Sequence, residues 1–215
     1  MKNVLLVGLG RFGFHMAVKL HELHHQVLAI DKKERRVQDV LPFVTNAEIG
    51  DASDPEVLKV LGVSEFDLCV VTMGHDLQAS LEVTALLKEY GAPFVLTRVQ
   101  TDAHARFLLA CGADDVIYPE KQLADWAAMR YSSAHILDYV RISQGYSIFE
   151  TELPQNWIGH TIVDLAVRQR YRINILAVCK DGEEVAMPSP THRFSAGERI
   201  IIMGNEKDVE KFLRF

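Results

Sequence analysis

Three glycines near the start of the chain have the spacing of a phosphate-binding loop. Gly8, Gly10 and Gly13 form the pattern G-x-G-x-x-G within GLGRFG, directly after the apolar run NVLLV and before a segment with helical periodicity. Glycines permit a tight turn and a close backbone approach, while the helix that follows presents unpaired N–H groups at its first turn. The pattern predicts that this loop binds nucleotide phosphates; the alternative is a packing turn between a strand and a helix.

Two charged side chains extend this prediction. Asp31 ends the second apolar run, at the position where a carboxylate can accept hydrogen bonds from an adenosine ribose. The same carboxylate repels a 2′-phosphate, which favours NAD or an adenine ribonucleotide over NADP. Arg11 lies inside the loop and can reach a terminal phosphate through charge-assisted hydrogen bonds, or it is an exposed arginine without a ligand.

Further polar residues follow the third to sixth apolar runs of the chain. In an open parallel sheet ligands bind beyond the carboxyl ends of the strands, so we expect these residues to converge on one edge. For each of them singly, a turn or helix-capping role is the alternative. The residues predicted to contact the nucleotide are Gly8, Gly10, Arg11, Phe12, Gly13, Asp31, Lys32, Asp51, Ala52, Met73, Gly74, Arg98 and Glu120.

The elements that must position these residues are visible as alternating patterns. Between Asn3 and Pro119, six short runs rich in Val, Ile and Leu alternate with helical segments, of which 11–24, 76–90 and 102–110 are the clearest. Continuous apolar runs suit parallel strands that are covered on both faces. The pattern predicts an α/β fold with a Rossmann-like, doubly wound parallel sheet.

The second half of the chain has a different pattern. Residues 120–142 are interpreted as one long helix that covers the last strand or packs against another subunit. Beyond it we predict a smaller α+β unit with a helix at 161–170, a hairpin turn at Asp181-Gly182 and a C-terminal helix. The predicted organisation is therefore an N-lobe at 1–119, a bridging helix at 120–143 and a C-lobe at 144–215.

Composition excludes several classes of protein. The chain of 215 residues has 29 acidic side chains against 23 Lys and Arg, a formal net charge of -6, which excludes a basic nucleic-acid binder. No stretch is long and apolar enough to span a bilayer, and no secretory signal is recognised. Cys69, Cys111 and Cys179 are widely spaced between apolar neighbours, which predicts reduced core thiols in a cytoplasmic protein.

Motifs for catalysis are missing from the sequence. There is no Tyr-x-x-x-Lys, no Gly-x-Ser-x-Gly, no His-Glu-x-x-His and no Gly-x-x-x-x-Gly-Lys-Ser/Thr. The chain thus has the pattern of a nucleotide-binding protein without an evident means of reacting with the nucleotide. A non-enzymatic regulator is the leading hypothesis, and an NAD-dependent oxidoreductase with its substrate between the lobes is the rival.

Several of these segments together resemble a known family. GLGRFG, VLAID, IGDASD, VVTMGHDLQAS, YPEK, INILAV and GERIIIMG are similar to the RCK-domain regulatory subunits of Ktr/Trk-type potassium uptake systems. The resemblance implies a cytoplasmic RCK N-lobe and C-lobe, assembled as dimers into an octameric ring beneath a membrane potassium-translocating subunit. It also implies that ATP activates relative to ADP; a regulator of a potassium channel is the alternative.

The resemblance implies roles for individual residues as well. Asp31 would hold the ribose of ATP, ADP or NAD(H), and Arg11 would approach the γ-phosphate. Asp51 and Ala52 would lie at the adenine, and Glu120 would help to bind a divalent cation such as Mg²⁺ between subunits.

In related C-lobes the dimer interface binds cyclic di-AMP. Arg168 and Asn174 match its polar positions in this chain, whereas Arg172 stands where relatives often have glycine.

Overall fold

The chain folds into two compact units. The computed structural model describes residues 1–180 and 185–213, and its units are Met1–Lys121 and Gln122–Phe215. The first contains a parallel six-stranded sheet with helices and the second a four-stranded antiparallel sheet with short helices. The predicted fold class, a Rossmann-like lobe followed by a smaller α+β lobe, is confirmed.

The sheet of the first unit is built from the six predicted apolar runs. Its strands are all parallel and lie in the order β3-β2-β1-β4-β5-β6, which is the doubly wound order. They are β1 (Asn3–Val7), β2 (Gln26–Asp31), β3 (Asn46–Ile49), β4 (Leu68–Val71), β5 (Val95–Arg98) and β6 (Asp115–Ile117).

Helices cover both faces of this sheet. Along β1, Val4 and Leu6 belong to one apolar cluster while Leu5 and Val7 belong to another, because alternate side chains of a strand point to opposite faces. All four are almost completely buried. The helices of this unit are α1 (Arg11–Glu22), α2 (Glu34–Val40), α3 (Pro55–Leu61), α4 (Leu77–Glu89) and α5 (Asp102–Ala110). Helix α6 (Pro119–Ser132) begins in the first unit and continues into the second.

The predicted long helix at 120–142 is wrong in its second half. Helix α6 ends at Ser132, and residues Ile136–Ser143 form strand β7, paired antiparallel with β8 (Tyr146–Glu152). A two-residue turn with Gly145 at φ +79° joins the strands. Ile136 and Tyr139 are both buried in the second unit's core, although they are three residues apart, because a register shift between Ile136 and Asp138 interrupts the strand alternation. Pairing with β8 outweighs any helical tendency of the segment.

The second unit is organised around large aromatic side chains. Its strands lie in the order β7-β8-β10-β9, and Trp157, Phe149 and Phe194 are almost completely buried within it. The predicted helix at 161–170 is interrupted, because Ala166 adopts the left-handed conformation at φ +47°. The remaining elements are α7 (Ile162–Leu165), α8 (Val167–Tyr171), β9 (Ile173–Lys180), β10 (Glu198–Asn205) and α9 (Glu206–Phe212).

Two further predictions concern the hairpin and the cysteines. The turn at Asp181-Gly182 lies outside the described residues, although Val178 and Ala186 on either side form an antiparallel bridge. Cys69 and Cys179 are buried, whereas Cys111 is exposed and is not a core thiol. Burial raises the pKa of Cys69 to about 12, so its thiol is not a nucleophile.

Within 1–180 and 185–213, no helix is long and apolar enough to cross a membrane.

Candidate functional site

A pocket of about 700 Å³ lies in the first unit, at the carboxyl ends of its parallel strands. It is found where β1 and β4 are neighbours, the switch point at which open α/β sheets bind ligands. Ten of the predicted residues line it and so are brought together by the fold: Gly8, Gly10, Arg11, Phe12, Asp31, Lys32, Ala52, Met73, Arg98 and Glu120.

The glycine loop and the start of α1 form one wall of the pocket. Gly10 is the N-cap residue of α1, where no side chain caps the helix and the first turn has no acidic residue. The N–H groups of a first helical turn lack intrahelical partners, so they are available to a phosphate. Gly8 has φ +91°, and a Cβ on Gly13 would overlap the carbonyl oxygen of Gly8, which explains why both must be glycine.

Asp31 forms the opposite end of the pocket and is already held by protein donors. Its Oδ2 accepts hydrogen bonds from the Leu9 N–H at 2.7 Å and from Arg36 Nη1 at 3.1 Å, and its Oδ1 accepts the Lys33 N–H at 2.8 Å. The side chain is only 6% exposed. A carboxylate has about four acceptor positions, so one position remains for a ribose hydroxyl.

Lys32 and Asp51 form an ion pair beside this end. Lys32 Nζ lies 2.8 Å from Asp51 Oδ2, and the Ser53 N–H donates to Asp51 Oδ1 at 2.9 Å. The hydrogen bond to Asp51 raises the pKa of Lys32. Burial acts against ionisation of Asp51, but Lys32 and the hydrogen bonds from Ser53 together outweigh it, so the pKa of Asp51 is lowered. Asp51 is therefore an anchored anion that fixes Lys32 at the pocket, while Ala52 contributes lining surface.

Arg98 and Glu120 form the far end of the pocket. Arg98 Nη2 donates to Glu120 Oε1, and the guanidinium carbon lies 5.8 Å from the ring centroid of Phe12. Burial acts against ionisation of Glu120, but its own backbone N–H and Arg98 outweigh it, so the pKa of Glu120 is lowered. The end of β5 thus places a second arginine beside the glycine loop, in addition to Arg11.

Three predicted residues do not line the pocket. Gly13 and Gly74 lie behind its wall, where Gly13 contacts the Gly8 carbonyl and a Cβ on Gly74 would touch the backbone of Arg98. Asp51 acts through Lys32, as described above. Their positions are consistent with structural support of the site.

Arg168 and Asn174 lie in the second unit and contact each other. Arg168 Nε donates to Asn174 Oδ1 at 2.7 Å, linking α8 to β9. Between them, Arg172 has φ +57°, a conformation that glycine adopts without strain. The two residues that the resemblance implied are therefore neighbours in this structure, while a ligand role for them stays a prediction.

The predicted divalent cation is not supported by the donor set. Across the residues that the structure describes, no group of three or more His, Cys, Asp or Glu side chains could hold a metal ion. Glu120 belongs to no such group, and its Oε1 accepts a hydrogen bond from Arg98. The residues of a single chain therefore do not fit a Mg²⁺ site at Glu120.

Sequence reasoning missed several residues that line the pocket, notably Lys33, Arg36 and His75. Arg36 follows Asp31 by five residues in a basic run, but the start of α2 at Glu34 is what turns it back onto the carboxylate. His75 Nδ1 is 2.8 Å from Gln100 Nε2, a partner that is distant in sequence. A cluster of basic residues directly after a strand is the one signal that could have indicated the first two.

Comparison with known proteins places the chain among potassium uptake proteins. The TrkA-N domain matches residues 4–119 and the TrkA-C domain matches residues 148–215. Ktr system potassium uptake proteins C and A of Bacillus subtilis are each 34% identical over 211 residues, covering 98% of this chain and 96% and 95% of those proteins. The Ktr system potassium uptake protein A of Vibrio alginolyticus is 27% identical over 213 residues, covering 99% and 97%.

Solved structures share the fold at low sequence identity. The GsuK RCK domain has a TM-score of 0.70 at 16% identity and covers 99% of this chain. This chain spans only 47% of that chain, and 39% of the chain in the GsuK channel bound to NAD, which has a TM-score of 0.69. The domain matches and the full-length identity together show that the chain belongs to the TrkA-N/TrkA-C family of Ktr and Trk potassium uptake proteins.

Proposed function

We propose that this chain is a nucleotide-sensing regulatory subunit that gates a separate potassium-translocating membrane protein. In this proposal ATP and ADP compete for the pocket of the first unit, and ATP favours the activated state. A ligand can shift such an equilibrium only by as much as its affinities for the two states differ. The site must therefore contain a group that distinguishes a triphosphate from a diphosphate.

The observation that carries the proposal is the uncapped start of α1, which begins with Arg11 and has Arg98 beside Phe12. The N–H groups of the first turn would contact the phosphates nearest the ribose. ATP and ADP both have these phosphates, so this contact does not distinguish the two nucleotides. Arg11 is exposed at the pocket lining and can add a charge-assisted hydrogen bond to the phosphate that ATP has and ADP lacks. Asp31 at the other end supplies the acceptor for the ribose.

The similar proteins support a nucleotide ligand and a potassium-conducting partner. The relatives are named as potassium uptake proteins, and the structures with the same fold include a GsuK channel bound to NAD and GsuK bound to ADP. NAD(H) is therefore a second candidate ligand of the pocket. By the same reasoning a potassium channel is the alternative partner.

We extend the proposal to assembly and to the second unit. Dimers of the first unit would form an octameric ring at the cytoplasmic face of the membrane, where the ring contacts the potassium-translocating subunit. Arg168 and Asn174 would contribute to a cyclic di-AMP site between two second units, with inhibition as the outcome. The preformed hydrogen bond between them supports this assignment.

A regulatory role is favoured over an oxidoreductase because three side chains of the pocket that could transfer protons are engaged by protein partners. Asp31 accepts three protein hydrogen bonds, Glu120 pairs with Arg98, and His75 is hydrogen-bonded to Gln100. A general acid or base must instead present its proton-accepting atom to a substrate. Turnover of NADH by the purified chain with any metabolite would favour the oxidoreductase.

The proposal predicts different effects for the two ends of the pocket. Replacing Arg11 with alanine should lower the ratio of the ADP dissociation constant to the ATP dissociation constant, because the terminal phosphate of ATP loses its contact with the guanidinium. Asp31→Asn should weaken both nucleotides to a similar extent, since both contain the same ribose. Isothermal titration calorimetry of the full chain with ATP and with ADP measures both ratios.

A control variant separates terminal-phosphate sensing by Arg11 from a general effect of removing positive charge from the pocket. Lys33→Ala removes a positive charge at the Asp31 end, and it should leave the ratio unchanged if terminal-phosphate sensing belongs to Arg11. An undiminished ATP preference in Arg11→Ala would remove that role from Arg11.

A further inference from the structure

The Arg98 side chain has an incomplete set of partners at the far end of the candidate nucleotide pocket. Its side chain is only 11% exposed, and its Nη2 donates to Glu120. Among the described residues, none accepts a hydrogen bond from its buried Nε. A guanidinium has five N–H donors and keeps its charge at all physiological pH values, so this site can accept a further anionic ligand.

Arg98 lies at the edge of the sheet where the terminal phosphates of a nucleotide held at Asp31 would lie. Asp31 ends β2 and Arg98 ends β5, which are separated by β1 and β4. Three strand spacings correspond to about 14 Å across the carboxyl edge of the sheet. A nucleotide whose ribose contacts Asp31 and whose phosphates follow the glycine loop therefore extends toward Arg98.

The two members of the ion pair differ in how easily they change partner. The Glu120 side chain is 57% exposed, so its carboxylate can return to water at little cost. Arg98 is largely buried against Phe12 and cannot be hydrated in the same way, so it requires an anionic partner in every state. The arrangement is a fixed cation with an exchangeable anion.

We propose that Arg98 binds the terminal phosphate of a nucleoside triphosphate, and that this phosphate displaces Glu120 from the guanidinium. The inference rests on the proposed nucleotide function and adds a second specificity-determining residue to Arg11. Glu120 acts as a competitor that occupies Arg98 until the triphosphate arrives. A diphosphate that ends before Arg98 leaves the ion pair intact.

The exchange predicts that removal of the Glu120 charge strengthens ATP binding. If Glu120 were itself a ligand of ATP, the same change would weaken ATP binding. Glu120→Gln should tighten ATP about threefold to fivefold, the range of a half-exposed ion pair, because the phosphate no longer has to displace a carboxylate. ADP affinity should stay unchanged. Arg98→Gln should weaken ATP and leave ADP nearly unaffected.

The measurement is calorimetric titration of the full chain with each nucleotide in the presence of EDTA, so that no divalent cation contributes. Removing any acidic charge could attract an anion, and two variants control for this effect. Asp102→Asn removes an exposed carboxylate of the same unit outside the pocket, and it should change neither affinity. In the Arg98→Gln background, Glu120→Gln should give no further gain.

The outcomes distinguish this exchange from the function on which it rests. A wild-type chain that binds neither nucleotide contradicts the proposed function itself. Wild-type binding with no gain for ATP in Glu120→Gln, or with equal gains for ATP and ADP, contradicts the exchange alone. If the buried Arg98 variant does not fold, as judged by circular dichroism, the comparison of ATP with ADP in Glu120→Gln still decides the question.

Discussion

A single carboxylate at residue 198 organises a loop of the second unit. The Glu198 side chain is 10% exposed and accepts hydrogen bonds from the Ser195 N–H and from Ser195 Oγ, at 3.2 and 2.8 Å. His192 Nε2 lies 3.1 Å from Glu198 Oε2. Burial acts against ionisation, but His192 and Ser195 outweigh it and lower the pKa of Glu198. The charged form is therefore the one that stabilises the fold.

Replacing Glu198 with glutamine should lower the free energy of unfolding by about 1 to 2 kcal/mol at pH 7. Because the pKa is lower in the folded state, the wild-type advantage is complete above the ordinary glutamate pKa of about 4.3. It is lost as the pH falls through the lower folded-state value. Urea titrations followed by tryptophan fluorescence, at several pH values, measure the difference; an advantage that grows on acidification would contradict this role.

The role of a residue could be predicted from the sequence where its partners are near it in the chain. The glycine spacing could be interpreted from sequence because the constraint is imposed by the loop's own backbone, as with Gly13 against Gly8. The Arg98–Glu120 pair could be placed at one edge but not paired, since its members are distant in sequence. The Arg36 contact with Asp31 was missed because it depends on where α2 begins.

Among the elements, the short helix α8 ends in a conformation that costs free energy. Arg172 is its C-cap residue at φ +57°, ψ +29°. An L-residue in this left-handed region is strained because Cβ approaches the carbonyl oxygen, whereas glycine is not. The strain lies directly before β9, beside the residues Arg168 and Asn174 that we propose for ligand binding.

Replacing Arg172 with glycine should raise the free energy of unfolding of the second unit by about 1 kcal/mol. Arg172→Ala is the matched control, because it removes the same side chain and keeps Cβ, and it should have little effect. Both tryptophans, Trp126 and Trp157, pack in the second unit's core, so fluorescence reports on this unit selectively. A glycine variant no more stable than the alanine variant would contradict the strain.

The error at the second half of the predicted bridging helix shows why element boundaries were the weak point. Glu120 to Ser132 is helical as expected, but the following ILDYVRIS has both helical and strand periodicity over so short a length. Pairing with β8 decided the outcome, and that pairing is a tertiary contact. Gly145 between two alternating runs was a hairpin signal that could have corrected the boundary.

At the scale of the whole molecule, the chain combines two compact units, each with its own core. The first has the doubly wound strand order and a pocket at its switch point, which the alternating apolar runs were sufficient to predict. The second has its own aromatic core and its own preformed polar contact. The family membership connects both units to potassium uptake.

We propose that the number of phosphates on the bound nucleotide controls potassium flux through the membrane partner. The most direct test is potassium flux into proteoliposomes that contain the membrane partner and the full-length chain, measured with ATP, with ADP and without nucleotide. We predict a higher flux with ATP than with ADP, and a smaller difference in the Arg11→Ala variant. The same flux under all three conditions in the wild type would contradict the account.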